Sequence, residues 1–521
     1  MSTLFLINTV GTDEDVLNLV ESNDHYKNLF HRIVHLEDLD SLVSRLYEDR
    51  LLSLPNKWNY ETSMSLVIYN PDKITSMIPI RTMNSIFKKF FPTLNISSLD
   101  SNDLESIEST LDLIYNDSNI YHDRLQLVDH WMCHSSTSCD TNMYSMLNQL
   151  TEAINENNTS TSYQIPRVIR NISFETIIND SKNEDFYFNL LNTWNFSALS
   201  LSTSELVQCG YHLMSHLSEN AGSSIPANKL YLFLLTVELS YHQTNKFHNF
   251  RHAIDVMQAT WQICLKLIPD DSKTILLLCL AAIGHDIGHP GTNNSLLQNN
   301  SQLKDLFNGQ SILENFHFNI FNSILDSQWP QIFKLKNNTN NKLIHDAIIA
   351  TDMGLHETYV KSLDNIESDL DLVQLISLII KAADISNVTR PLNISAKWAY
   401  LISLEFNDCA SLQEHYKDSN GSTCSTHENK NSKNTIKLSE QALKLESERE
   451  NILDNGFHID KLLELYPMIP NGQIFFINTF ASEFFTKLSI KFPALKFLID
   501  NINSNKEFWI SKRDELKDRS S

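Results

Sequence analysis

The sequence predicts a mainly α-helical protein preceded by a small α/β domain. Two observations carry that prediction. From about residue 166 to 512, apolar residues recur at helical spacing, and Gly and Pro serve as punctuation, as in Pro290-Gly291 and Pro470-Asn471-Gly472. Over residues 1 to about 100, short apolar runs instead alternate with helical stretches, the pattern of an α/β unit. A chain of 521 residues is long enough to hold more than one such domain.

Taken in order, Leu4–Ile7, Arg32–Leu36 and Leu66–Tyr69 read as buried parallel strands, with Leu39 to Tyr47 as a helix between them. This unit resembles a receiver-like fold in degenerate form. Its third strand runs into Asn70-Pro71, where a receiver would carry its phosphoacceptor Asp, and Asn8-Thr9 follow the first strand in place of an acidic pair. The expectation is a non-catalytic packing or partner-binding domain. Residues 101–165 are rich in Asn, Ser and Thr and read as a polar linker, with Asn155 to Ser162 its strongest stretch. Helices follow over Lys229 to Tyr241, Ser272 to Ile283, Asp371 to Ala383, Ala396 to Phe406 and Gln473 to Leu488. Residues 416–440 are again polar and of low complexity, and read as an exposed insertion between two helices.

Charge and cysteine usage narrow the class of function. A formal net charge of −22 argues against binding a nucleic-acid backbone, whose affinity comes largely from Lys and Arg. The seven cysteines are odd in number and contain no Cys-x-x-Cys pair; Cys264 and Cys279 sit in apolar helical stretches and read as reduced core residues. The opening Met-Ser-Thr-Leu-Phe-Leu-Ile lacks the basic start of a signal peptide, and no run reaches the ~20 apolar residues that span a bilayer. The expected location is cytoplasmic, with the nucleus as a further compartment and no membrane partner.

Chemistry concentrates around His285-Asp286. The pair follows the apolar run Ile275 to Ile283, so two polar side chains are delivered from the end of a buried helix. Buried charges must be paired or bind a metal. Asp384 repeats the arrangement at the end of Leu375 to Ala383, and His248 and His252 are four apart, on one face of a helix. Two histidines at that spacing are a weak signal alone, since exposed or core histidines are common. Three apolar elements that each end in a ligand are hard to explain as packing. His252, His285, Asp286 and Asp384 therefore read as metal ligands. Two imidazoles and two carboxylates suit Zn²⁺ at the tighter site, and a second site sharing only Asp286 suits hydrated Mg²⁺ or Mn²⁺. Two cations ~3.5–4 Å apart can bridge a hydroxide and stabilise the oxygens of a phosphoryl displacement. His248 would then be the general acid. His289, one turn beyond His285, reads as an outer partner of the site, with a purely structural role as the alternative.

The segments Phe247-His-Asn-Phe-Arg-His-Ala253, Gly284-His-Asp-Ile-Gly-His-Pro-Gly291, Thr351-Asp-Met353, Ala383-Asp-Ile-Ser-Asn387 and Pro470-Asn-Gly-Gln-Ile-Phe-Phe-Ile477 occur in the order found in class I 3',5'-cyclic-nucleotide phosphodiesterases. The resemblance spans about 230 to 490, and the surroundings of the first and fourth segments look most like the fungal (yeast) high-affinity cyclic-AMP branch. It implies an all-helical, HD-type metallophosphodiesterase domain that hydrolyses 3',5'-cyclic AMP to 5'-AMP through a hydroxide bridging two metals, lowering cyclic-AMP signalling. It places His252, His285, Asp286 and Asp384 at the metal ligands, with Asp286 bridging, and His248 at the proton donor to O3'. It further places Gln473 on the purine edge, Phe476 and Ile402 on the two faces of the base, Asn387 and Met353 in the pocket lining, and Glu314 near the hydrated metal. Cyclic AMP in preference to cyclic GMP rests on the resemblance alone, because a primary amide can present either donor or acceptor. Phe475, Phe480, Phe484 and Phe485 read as core. Two departures stand out: Phe247 replaces the Tyr of many animal relatives, and the 416–440 insertion lies where relatives carry a loop near the pocket mouth. Another His-Asp metallohydrolase, or a catalytically dead nucleotide sensor, are the competing readings.

Overall fold

The computed structural model describes strands and short helical pieces between residues 3 and 115, and residues 182–420 and 458–520 apart from 242–244, 290, 299–306, 333–338 and 365–369. The chain divides into two compact units, Met1–Asn179 with Ser411–Ser447, and Asp180–Ala410 with Glu448–Ser521.

In the first unit, β1 (Thr3–Ile7), β2 (Arg32–Leu36), β3 (Ser65–Tyr69) and β4 (Leu94–Ser98) form one sheet of order β2-β1-β3-β4. Every pairing is parallel, with Phe5 opposite both Val34 and Val67, and Val67 opposite Ile96. Helix α1 (Glu14–Ser22) places Val16 and Val20 in a core with Leu4, Leu6, Leu66 and Ile68. The fourth strand lacks a continuous apolar run in sequence and was not expected. Ile107, Leu111 and Ile114, within the stretch read as linker, belong to the same core, so the α/β unit runs past residue 100. Tyr26 bonds Asp112 through its hydroxyl and ties that extension down. Asn8-Thr9, Asn70-Pro71, the Asn155 to Ser162 stretch and most of residues 39–47 and 416–440 lie outside the described residues.

The second unit is helical. Its main helices are α2 (Glu184–Leu191), α3 (Thr203–Asn220), α4 (Ala227–Leu239), α5 (Phe250–Leu267), α6 (Ser272–Gly284), α7 (Ile312–Gln328), α8 (Thr339–Ile349), α9 (Leu372–Asp384), α10 (Leu392–Asn420, which belongs to this unit as far as Ala410), α11 (Ile469–Phe476), α12 (Ser482–Lys491) and α13 (Lys496–Ser520). Local chemistry sets their starts. Ser202 and Glu205 form a reciprocal capping box on α3, Asp371 and Gln374 another on α9, and the Asp271 carboxylate accepts the Thr274 amide at the head of α6. The helix read from Gln473 to Leu488 is in fact α11 and α12 joined through a π turn at Ile477–Ala481. Such turns insert a residue into a helix and re-aim the side chains beyond it.

α6 is apolar on all sides and buried throughout from Thr274 to Gly284. Helices α3, α5 and α8 pack around it. An apolar 18-residue stretch, Leu372–Thr389, has the length and hydropathy of a membrane span but is 72% buried inside this unit, as expected for a core helix. At the end of α6, a Cβ on Gly284 would stand 2.3 Å from Cγ of Phe321 on α7. Gly284→Ala therefore forces a central helix off its neighbour. It should cost roughly 1–3 kcal/mol, the usual range for an overpacked core, read as a lower Tm by thermal unfolding. An unchanged Tm would mean that Phe321 yields without cost.

Candidate metal centre

The ends of α6 and α9 and the first turn of α5 meet at one buried point. Asn249 starts α5 by accepting the Arg251 amide at 2.9 Å, which sets His252 one turn in. His285 closes α6, and Asp384 is the last residue of α9. His252 Nε2 lies 3.2 Å from Asp384 Oδ1 and 3.7 Å from Asp286 Oδ2. His285 Nε2 lies 3.1 Å from Asp286 Oδ2 and 3.3 Å from Asp384 Oδ1. All four residues called ligands from sequence are thus drawn together.

Asp286 divides its two oxygens. Oδ2 faces His252 and His285, whereas Oδ1 lies 3.8 Å from Nε2 of His317 on α7. Asp286, His289 and His317 form a second grouping of donor atoms within 4.8 Å of one another. The tautomers follow from backbone carbonyls, which can only accept. His285 donates Nδ1–H to Ala282 O at 2.8 Å, and His317 donates Nδ1–H to Ile287 O at 2.7 Å. While the ring is neutral, each keeps its lone pair on a buried Nε2 that faces Asp286. Imidazoles fixed by a carbonyl on one nitrogen and open on the other are the form in which histidine binds a cation.

The carboxylates favour a positive charge at this point, carried by a proton on His285 or, in its place, by a cation that displaces that proton. Burial disfavours charge on His285, but the Asp286 and Asp384 carboxylates outweigh it and hold its pKa well above the ordinary value. Burial likewise opposes ionisation of Asp286 and Asp384, and the neighbouring histidines overcome it, keeping both acids below the usual carboxylate range. Two ionised carboxylates with two inward-facing imidazole nitrogens fit a divalent cation in charge and donor type.

His248 stands beside this cluster, its ring stacked on His289 at 4.1 Å. Its Nδ1 bonds Glu405 on α10, a residue that the sequence reading missed. The other oxygen of Glu405 accepts the Phe247 amide at 2.7 Å and the His248 amide at 3.3 Å. One buried carboxylate therefore fixes both the ring and the backbone of His248. Burial works against protonation of His248, but Glu405 and then the two aspartates reverse it and raise the pKa to about 9. Asn245 links this corner to the next by donating to His248 O at 2.9 Å and His289 O at 2.6 Å. His289 accepts the Gly291 amide at Nδ1, so its Nε2 carries the proton while the ring is neutral, and burial together with His248 holds its pKa well down. That makes it a donor toward the cluster and favours the outer-partner reading.

Glu314 lies on α7 and accepts from Asn294 Nδ2 at 2.9 Å; burial and the charge of Asp352 raise its pKa to about 7. His317, one turn further on α7, is the other residue the sequence reading missed. Asn387 is buried in the turn Ile385–Thr389 that follows Asp384. Met353 is half-buried, with its Sδ 3.9 Å from Lys381 Nζ. Gln473 is buried on α11, and its Oε1 has no partner among the described residues. Phe476 and Ile402 are half-buried. The π turn after Phe476 packs on the turn holding Asn387, which brings α11 beside the segment of Asp384. Of the phenylalanines read as core, Phe484 and Phe485 are buried, but Phe475 is 64% exposed and Phe480 only half-buried. Phe475 lies two residues beyond the buried Gln473 on α11, roughly 200° around the helix, and so faces away from the core.

A helical domain that brings imidazoles and carboxylates from separate helices to one buried point defines a His-Asp metal-centre hydrolase. The chain belongs to the 3',5'-cyclic nucleotide phosphodiesterase family. The family's profile matches residues 247–442. The 3',5'-cyclic-nucleotide phosphodiesterase 2 of Saccharomyces cerevisiae is 43% identical over 98% of this chain and 99% of its own length. The cGMP-specific 3',5'-cyclic phosphodiesterase delta of Plasmodium falciparum is 32% identical over 54% of this chain and 36% of its own. The crystal structure of yeast caPDE2 in complex with IBMX shares the fold, with a TM-score of 0.70 at 23% identity over 98% of this chain and all of that one. The protein is accordingly a phosphodiester hydrolase whose substrate is a cyclic nucleotide and whose cofactors are divalent cations.

Proposed function

We propose that this enzyme hydrolyses 3',5'-cyclic AMP to 5'-AMP in the cytoplasm, and also in the nucleus, and so lowers cyclic-AMP signalling. His252, His285, Asp286 and Asp384 would hold the tighter cation, Zn²⁺ by donor type, and the Oδ1 side of Asp286 a more hydrated Mg²⁺ or Mn²⁺. When bound, the pair supplies Lewis acidity to the phosphate and a nucleophile from water at neutral pH. His248 protonates the departing O3', with Glu405 holding its ring in position. Gln473 bonds the purine edge, and Phe476 and Ile402 sandwich the base, with Asn387 and Met353 lining the pocket. Glu314 and His289 act from outside the cation contacts. The division of Asp286 between two groups of imidazoles is the observation that carries this reading. Preference for cyclic AMP is supported by the likeness of the motif surroundings to the fungal cyclic-AMP branch. Steady-state rates on cyclic AMP, cyclic GMP and nucleoside monophosphates test it. Cyclic AMP should give the highest kcat/KM, and a preference for monophosphates would refute it.

The role of Glu405 has its own test. Its carboxylate helps raise the His248 pKa from 6.5 to about 9. The protonated form, and the stability it brings, is thus complete below the unfolded value and lost as pH rises through about 9. Glu405→Gln keeps an acceptor at Nδ1 but removes the charge. The alkaline limb of kcat/KM should move to lower pH by roughly 1–3 units, the usual effect of one adjacent charge. An unmoved limb would separate Glu405 from the protonation of His248.

A further inference from the structure

Two buried charges outside the cation contacts sit where they can set the spacing of the ligands. Asp255 lies three residues beyond His252 on α5, hence on the same face, and Arg390 lies six beyond Asp384. They form an ion pair at 3.2 Å, with Arg390 fully buried and Asp255 2% exposed. The guanidinium also donates to Asp255 O at 3.2 Å and Trp194 O at 3.3 Å, and lies 4.4 Å from the centre of the Trp194 ring. Trp194 returns a bond from Nε1 to Thr389 O at 3.0 Å. From the far side, Asn505 of α13 donates to Val388 O and Arg390 O, both at 2.9 Å, and Asn501 donates to Thr389 O at 2.8 Å. Three successive carbonyls after Asp384 are therefore pinned by side chains, and Arg390 couples that pinned segment to the helix of His252.

Stability alone is a poor reason for such a pair. Removing two charges from water costs about what their attraction returns, and well-packed apolar replacements are often as stable. What an apolar pair cannot supply is a fixed direction and distance between two helices. His252 Nε2 and Asp384 Oδ1 come from those same two elements and stand 3.2 Å apart.

We propose that the Asp255–Arg390 pair is a positioning lock for the cation site, holding His252 and Asp384 at ligating distance. This rests on the metal reading given above. The test is Zn²⁺ titration of the chelated full-length protein by calorimetry, with Tm measured alongside. In Asp255→Leu/Arg390→Met, Tm should stay near that of the parent protein while the Zn²⁺ Kd weakens by about 10–100-fold, the usual effect of losing an outer-sphere support. Turnover should recover at high Zn²⁺ with KM for cyclic AMP unchanged, which a merely structural role would not produce. Arg390→Lys keeps the charges balanced but loses the planar fork, and should weaken Zn²⁺ in the same direction by a smaller factor. If the double variant fails to fold, Arg390→Lys decides. Parental Zn²⁺ affinity in either folded variant overturns the lock. Failure of the unsubstituted protein to take up Zn²⁺ overturns the metal reading itself.

Discussion

Asp286→Ala should abolish cation binding and hydrolysis together. Its carboxylate is shared by both groups of imidazoles: one Asp286 oxygen faces His285 Nε2 at 3.1 Å and the other faces His317 Nε2 at 3.8 Å. Losing a partner outside the contacts of a metal typically costs ~10–100-fold in affinity or activity, so removal of a carboxylate shared by two sites must cost more. The variant also leaves His252 and His285 facing one acid instead of two, and His285 loses the larger of the attractions that favour positive charge there. Asp286→Asn separates shape from charge. It keeps the volume but replaces an oxygen with a donor amide, and should be nearly as inactive while folding normally. Metal content by elemental analysis and hydrolysis of cyclic AMP are the two readouts. A variant with full activity and no cation would remove the two-cation account.

His248→Ala should retain its cations and lose turnover by ~10²–10⁴-fold, the span that a positioned general acid contributes. His248 is bonded to Glu405 rather than to the aspartates, so its removal leaves the ligand quartet intact. The deficit should depend on the leaving group. Departure of O3' as an alkoxide needs a proton, whereas an aryl phosphodiester releases a stable phenolate without one. The variant should therefore be far less impaired on the aryl ester. Equal losses on the two substrates would assign His248 to binding or packing. A wild-type rate on cyclic AMP would remove its role altogether.

The meeting of His285, Asp286 and Asp384 was legible because each lies at the end of a strongly apolar helix. A charged residue in that position has few alternatives to pairing or ligation. Glu405 was not legible in that way, since its partner His248 lies 157 residues away. A signal existed nonetheless: Trp398, Leu401 and Glu405 share one helix face, and the first two are fully buried. An acid completing a buried stripe calls for a partner. His317 was similarly signalled by its place one turn beyond Glu314 on α7, where both project from one side. The helices were read well, because a period of 3.6 over a dozen residues is a strong signal. β4 was not, because Leu94-Asn-Ile-Ser-Ser98 holds only two large apolar residues and its place is set by pairing with β3. Phe475 was misplaced because aromatic content suggests a core, whereas its place two residues beyond the buried Gln473 puts it on the opposite face of α11.

Opening of a cyclic purine nucleotide at a cation-dependent centre built on Asp286 is open to a direct test. The most direct measurement is the steady-state hydrolysis of cyclic AMP and cyclic GMP by the full-length protein before chelation, after chelation, and after adding back Zn²⁺ with Mg²⁺ or Mn²⁺. Turnover of cyclic AMP should vanish on chelation, return on add-back and exceed that of cyclic GMP in kcat/KM. Undiminished turnover after complete removal of divalent cations would rule out cation-dependent hydrolysis.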